Sequence, residues 1–164
     1  MNWGSNIEVS SYFKSVCEKL KSHKVSFIEA PADLATVELV KISKDKYPTL
    51  FCDSIDSEFY PNQAKNLVET PSVVFSVVDY VDLNTIDRYS KINEAYLNTK
   101  DICKKIIKRI EVEYRKDYLI SVKKVSMNQI SGQTALHFGT IVEIQFQLGP
   151  IEFNKTDWQD GDIL

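Results

Sequence analysis

Between Val142 and Leu148 the chain reads VEIQFQL, with Val142, Ile144, Phe146 and Leu148 alternating strictly with Glu143, Gln145 and Gln147. A period of two places successive side chains on opposite sides of an extended backbone, so this stretch predicts a strand with one buried face and one wet face. A half-wet strand belongs to a sheet with a single covered side, which is commonly antiparallel. Whatever else the chain contains must therefore supply a layer for the apolar side only.

Two segments offer that layer. In SNIEVSSYFKSVCEKLKSHK, residues 5–24, Val9, Tyr12, Phe13, Val16, Cys17 and Leu20 fall on one face at helical spacing, and Lys14, Glu18, Lys19 and Lys21 fall opposite. Ser5 with Glu8 has the form of a capping box. A second helix is predicted from Asn98 as N-cap, with Asp101 in the first turn at the positive end of the dipole. Its apolar stripe is Cys103, Ile106, Ile107, Ile110 and Tyr114, edged by Ile102.

Between the helices, Thr36–Ile42 and Thr49–Asp53 predict strands separated by the polar break KDKYP. The stretch DSEFYPNQAKNLVETP carries two prolines and no period, and reads as a loop. Ser72–Tyr80, SVVFSVVDY, is rich in β-branched residues without alternation, which predicts a central strand covered on both faces. VDLNTIDRYSKINEAYL is part extended and part helical in pattern. Two closing strands, Tyr118–Met127 and Ala135–Leu148, are joined by NQISGQ, where Gly132 suits a turn. Strands grouped in hairpin-like runs with helices between the runs predict an α+β fold, a mostly antiparallel sheet packed against two amphipathic helices. Residues 1–150 are expected to form that single domain and residues 151–164 a C-terminal tail.

Composition narrows the function classes. Net charge is −3, so no global positive field recruits nucleic acid. The segment MNWGSNIEVSS lacks the basic start and apolar run of a secretory leader, and no apolar stretch approaches the roughly 20 residues that span a bilayer. Cys17, Cys52 and Cys103 are far apart without CxxC or Cys/His spacing, so buried thiols in a reducing compartment are expected and a zinc site is not.

No residue set has catalytic spacing. GxxxxGK[ST], GxGxxG and HExxH are all absent. Cys17 and His23 fall on opposite sides of a helix end, and His137 reads as a hydrogen-bonded structural histidine. Asp157, Asp160 and Asp162 lack calcium-loop spacing and a closing glutamate, so DWQDGDIL reads as a solvated tail or one that docks on a neighbour through Trp158. The lysines and arginines of residues 104–116 stand among Asp101, Glu111, Glu113 and Asp117, leaving a net charge near +2 and no interleaved aromatics, which reads as a solvated helix face. No cofactor, no metal and no enzymatic activity are expected.

The linear pattern resembles the tail-terminator, tail-completion and neck (head–tail connector) proteins of tailed bacteriophages. The residues that carry it are the N-terminal amphipathic helix, a strand entered through proline in YPTLFCD, the β-rich SVVFSVVDY, a helix in NTKDICKKIIKRI, and the closing pair Tyr118–Met127 and Ala135–Leu148. It spans Ile7 to Trp158. The resemblance implies a virion structural protein, assembled in the host cytoplasm, that forms a homo-oligomeric ring, commonly a hexamer. It implies docking between the tail tube and connector or portal-side proteins, in proximity to DNA and away from membranes. Under that reading Glu143, Gln145 and Gln147 face a channel or a subunit interface, where the absence of Lys and Arg lets DNA slide, since phosphate affinity comes from cationic contacts; the alternative is that they meet solvent. From a different class, a small soluble protein-binding module, an accessory or inhibitor protein, also fits the sequence.

Overall fold

The computed structural model describes residues 6–28, 44–61, 67–114, 120–131 and 136–148. In chain order these form helix α1 (Asn6–Lys19), strand β1 (Ser26–Ile28), a 3₁₀ turn (Lys44–Lys46), strands β2 (Thr49–Pro61) and β3 (Leu67–Tyr80), helix α2 (Arg88–Tyr114), and strands β4 (Ile120–Ser131) and β5 (His137–Leu148). The predicted strand Thr36–Ile42, the capping residue Ser5, the turn at Gly132 and the tail with Trp158, Asp157, Asp160 and Asp162 lie outside the described residues.

The five strands make one sheet in the order β1-β2-β3-β5-β4. Three neighbouring pairs are antiparallel and only β1–β2 is parallel, so the fold is α+β with a mostly antiparallel sheet. Both helices lie on one face. Val9, Phe13, Val16 and Cys17 of α1 and Ile102, Cys103, Ile106 and Ile110 of α2 share a single buried cluster with Leu50, Val73, Phe75, Val77, Val142, Ile144 and Phe146. The stripes read from both helices are therefore the packed ones, and the alternation of β5 selects the face they cover: Val142, Ile144 and Phe146 are fully buried, whereas Glu143, Gln145 and Gln147 are not.

Four expectations need correction. DSEFYPNQAKNLVETP is not a loop in its described part, because β2 runs to Pro61 and β3 starts at Leu67, pairing from Thr49↔Val78 to Pro61↔Leu67 with a register shift between Cys52 and Ile55. Backbone pairing along a long hairpin outweighed weak local propensity here. β3 is central, as its composition predicts, but only one of its faces carries the helices. Ser72, Val74 and Ser76 are half-exposed on the other, and Val78 there is buried in a small cluster with Phe51, Ile28, Tyr47 and Ile130. The second helix begins ten residues before Asn98: Asp87 occupies the N-cap position that favours its residue type, and the amide of Lys91 bonds the Asp87 carbonyl. Asn98 and Asp101 therefore sit inside the helix, where Asn98 donates to Asp79 Oδ2 at 3.2 Å and Asp101 pairs with Lys105 at 2.7 Å. Finally, Cys17 and Cys103 are buried thiols, whereas Cys52 is only half-buried in β2. Desolvation pushes Cys17 and Cys103 up to about 12, which keeps both protonated and inert.

Candidate functional site

The wet face of the sheet is built from alternate residues of three adjacent strands. On β5 these are Glu143 and Gln145, on β3 Ser72, Val74 and Ser76, and on β4 Lys124, Ser126 and Asn128, as the register Ser72↔Gln145, Val74↔Glu143 and Ser126↔Glu143 requires. Glu143 is the hub. Its Oε1 accepts from Ser72 Oγ at 3.1 Å and Gln145 Nε2 at 3.1 Å, and its Oε2 accepts from Ser126 Oγ at 3.4 Å. All three donors are neutral, so the carboxylate is oriented without being neutralised; among the described residues it forms no ion pair. Gln147 is exposed at the end of the row. With Lys124 and Glu143 among its charged residues, this surface can exchange hydrogen bonds and meet either sign of charge on a partner. Among the described residues no group of His, Cys, Asp and Glu has the grouping to hold a metal.

Two other polar constellations exist. At the end of β5, His137 is buried, and its Nε2 lies 2.8 Å from Tyr47 Oη, with the Tyr80 ring against the imidazole and Lys44 Nζ over Tyr80. This is the hydrogen-bonded structural histidine the sequence predicts. Burial holds its imidazole below the usual value near 6.5. An unfolded chain takes up a proton at that usual value and the folded one only at lower pH. The unfolded state therefore binds more protons below about 6.5, and stability present above that value is lost as pH falls. Thermal melts of wild type should thus lose stability from about pH 6.5 downward, and His137→Gln should flatten that slope; equal slopes would assign the pH dependence elsewhere.

The second constellation joins the helices. Ser22 Oγ lies 3.0 Å from His23 Nδ1, and His23 Nε2 lies 3.6 Å from Asp101 Oδ2, which also holds Lys105. It sits at a half-exposed helix end and tethers the turn after α1 to the middle of α2. Cys17 points into the core while His23 turns to α2, so the two make no pair. The basic side of α2 is partly neutralised locally, by Lys105–Asp101, Lys108–Glu111 and Arg109–Glu113. Lys104 and Lys108 are exposed, as a solvated helix face predicts, Lys105 and Arg109 are half-buried, and Arg115 and Lys116 lie outside the described residues; such pairs contribute little to stability.

One feature the sequence did not disclose is an open groove of about 930 Å³ between the Asp79–Asp82 corner and the first turns of α2. Its signal was Asp87, a capping residue ahead of the helix formers in RYSKINEAYL. No family model matches the chain, and no characterised protein matches it either.

Proposed function

We propose that the chain is a virion structural protein, one subunit of a ring at the head-proximal end of a phage tail or in the neck, joining the tail tube to the connector without catalysing a reaction. The observation that carries this reading is the order of the elements on the sheet. An amphipathic helix is followed by β2 entered at Pro48, a long central strand, a second helix, and a closing antiparallel pair. That is the order on which the resemblance to tail-terminator and neck proteins rests, and it puts both helices on one side.

The free side suits such a role. A subunit in a ring must repeat one contact with its neighbour until rotation closes the circle. Among the described residues, Glu143, Gln145 and Gln147 give the face opposite the helices hydrogen-bonding capacity, with Glu143 balanced by Lys124 and no excess of cations to hold DNA. Whether that face lines a channel or meets another protein is decided by the assembly.

The test mixes purified protein with its tail tube and inspects the particles by negative stain and mass photometry. Rings, six-fold or of another closed number, capping one end of the tube are expected. A protein that never joins any virion component would instead favour the small protein-binding module.

A further inference from the structure

Helix α2 is longer than the layer it belongs to. Its first buried residue is Ala95, and Tyr96 stacks edge-on against Phe138, the second residue of β5. Residues 88–94 therefore project past the ends of β3 and β5. Helix α1 does not accompany them. Tyr12 Oη donates to Glu113 at 2.6 Å and His23 reaches Asp101, so α1 runs antiparallel beside the C-terminal half of α2 and its chain turns away at Asp101. Among the described residues, the groove occupies the place beside α2 that α1 does not reach.

The overhang is apolar where solvent would favour polar residues. Ile86, just before the helix, and Tyr89 and Leu97 on it are 102%, 73% and 68% exposed, three large side chains within twelve positions. The groove, which Leu97 lines, is acidic: Asp79, Asp82 and Glu94 against Lys91 give its lining a net charge of −2, with Lys44 over Tyr80 at its edge. The outer face of α1 and the turn after it are the opposite, with Lys14, Lys21 and Lys24 exposed beside Glu18, a net charge of +2 among the described side chains, while the Lys19 charge acts on Glu113 of α2. Among the described residues Lys14, Lys21 and Lys24 form no ion pair, unlike the basic residues on the C-terminal half of α2. Among the described residues, a basic helix face without ion pairs and an open acidic groove in the same layer are complementary in sign, and they cannot meet within one molecule because both lie along α2 on the same side.

We infer that the α2 overhang and its groove are the docking site for a second copy of this chain, whose α1 presents Lys14, Lys21 and Lys24 to the acidic wall while Tyr89 and Leu97 pack against its flank. The contact joins two different surfaces, so it repeats head to tail and either closes into a ring or extends. Its biological use rests on the ring reading; its existence does not. Charges of opposite sign at the rim set encounter rate and register, and the apolar pair supplies most of the adhesion.

Complementary charge reversal tests it. The double variant Asn93→Lys/Glu94→Lys makes the groove side basic, and Lys21→Glu/Lys24→Glu makes the α1 side acidic; all four positions are exposed, and an unchanged melting temperature verifies that each variant folds. By sedimentation velocity at low salt, wild type should associate with rising concentration and dissociate as salt is raised. Each variant alone should stay monomeric, and an equimolar mixture should associate again, because the reversed groove of one meets the reversed helix of the other. Leu97→Ala, which removes apolar contact without adding charge, should raise the Kd at least about tenfold without changing the salt dependence. A wild type that stays monomeric to about 1 mM, leaving the groove to this chain's own last residues or to another protein, overturns the inference. So does a mixture that fails to reassociate. If the charge-reversed variants still form rings on the tail tube, this contact is wrong and the ring reading stands. If wild type associates through this surface yet joins no virion component, the ring reading fails and the contact stands.

Discussion

Replacing Phe75 with alanine is expected to remove about 3–5 kcal/mol of folding stability, a large share of the 5–15 kcal/mol that holds a domain of this size. Phe75 is fully buried on the central strand, its ring centroid 4.9 Å from that of Phe13 on α1, with Cys52 and Val142 as its cross-strand neighbours. It is the point at which α1, β2, β3 and β5 meet. Truncation leaves a cavity that neither the helix nor the paired strands can close without shifting backbone, so the full cost of lost contacts and void is felt. Urea unfolding followed by circular dichroism measures it. Val74→Ala, one residue along and on the half-exposed face, is the control and should cost no more than about 1 kcal/mol. Equal losses at the two positions would mean that β3 is packed on both sides after all.

Gly139→Ala should be nearly as damaging, at about 3 kcal/mol, although it adds a single methyl group. Gly139 pairs with Val78, and a Cβ there would stand 2.2 Å from the carbonyl oxygen of Val77 and 2.8 Å from Cα of Val78. Both obstacles are backbone of the neighbouring strand, so no side-chain rotation relieves them. Strand propensity favours alanine over glycine by roughly 0.5–1 kcal/mol, which the clash exceeds several-fold. The melting temperature should drop and the β3–β5 amides nearest the site should exchange faster with solvent. A variant as stable as wild type would show that the two strands can separate slightly at no cost.

The same close pairing bears on the function proposed. Gly139 lies two residues from the corner that His137, Tyr47 and Tyr80 lock. From there toward Gln145 the sheet opens its polar side around Glu143. A rigid sheet with one side committed to helices and the other left wet is suited to meeting large partners over an area, since binding there requires no reorganisation of the fold. The Ser72, Ser126 and Gln145 bonds to Glu143 hold that charge in one orientation before any partner arrives.

Periodicity made part of this legible. The alternation from Val142 to Phe146 and the stripe Val9–Phe13–Val16 are local properties: the pitch of a strand or a helix fixes which residues share a face, whatever lies opposite. Glu143, Gln145 and Gln147 were legible as a wet row for the same reason. Their linkage to Ser72 and Ser126 was not, because those residues are 71 and 17 positions away and only register aligns them. The start of α2 was hidden because its first turns touch no core and so carry no apolar stripe; a single capping residue, Asp87, was the one mark of it.

Considered by itself, then, the sequence determined the α+β class, the faces of the two helices and of β5, and the absence of any catalytic spacing. Each follows from side-chain order along a short span of backbone. Tertiary structure alone decided that β2 and β3 form one long hairpin through two prolines, that β1 joins in parallel, and that α2 outruns α1 and leaves a groove. Those outcomes depend on hydrogen bonds and packing between residues remote in the chain, whose free energies outweigh local preference and leave no periodic trace in it.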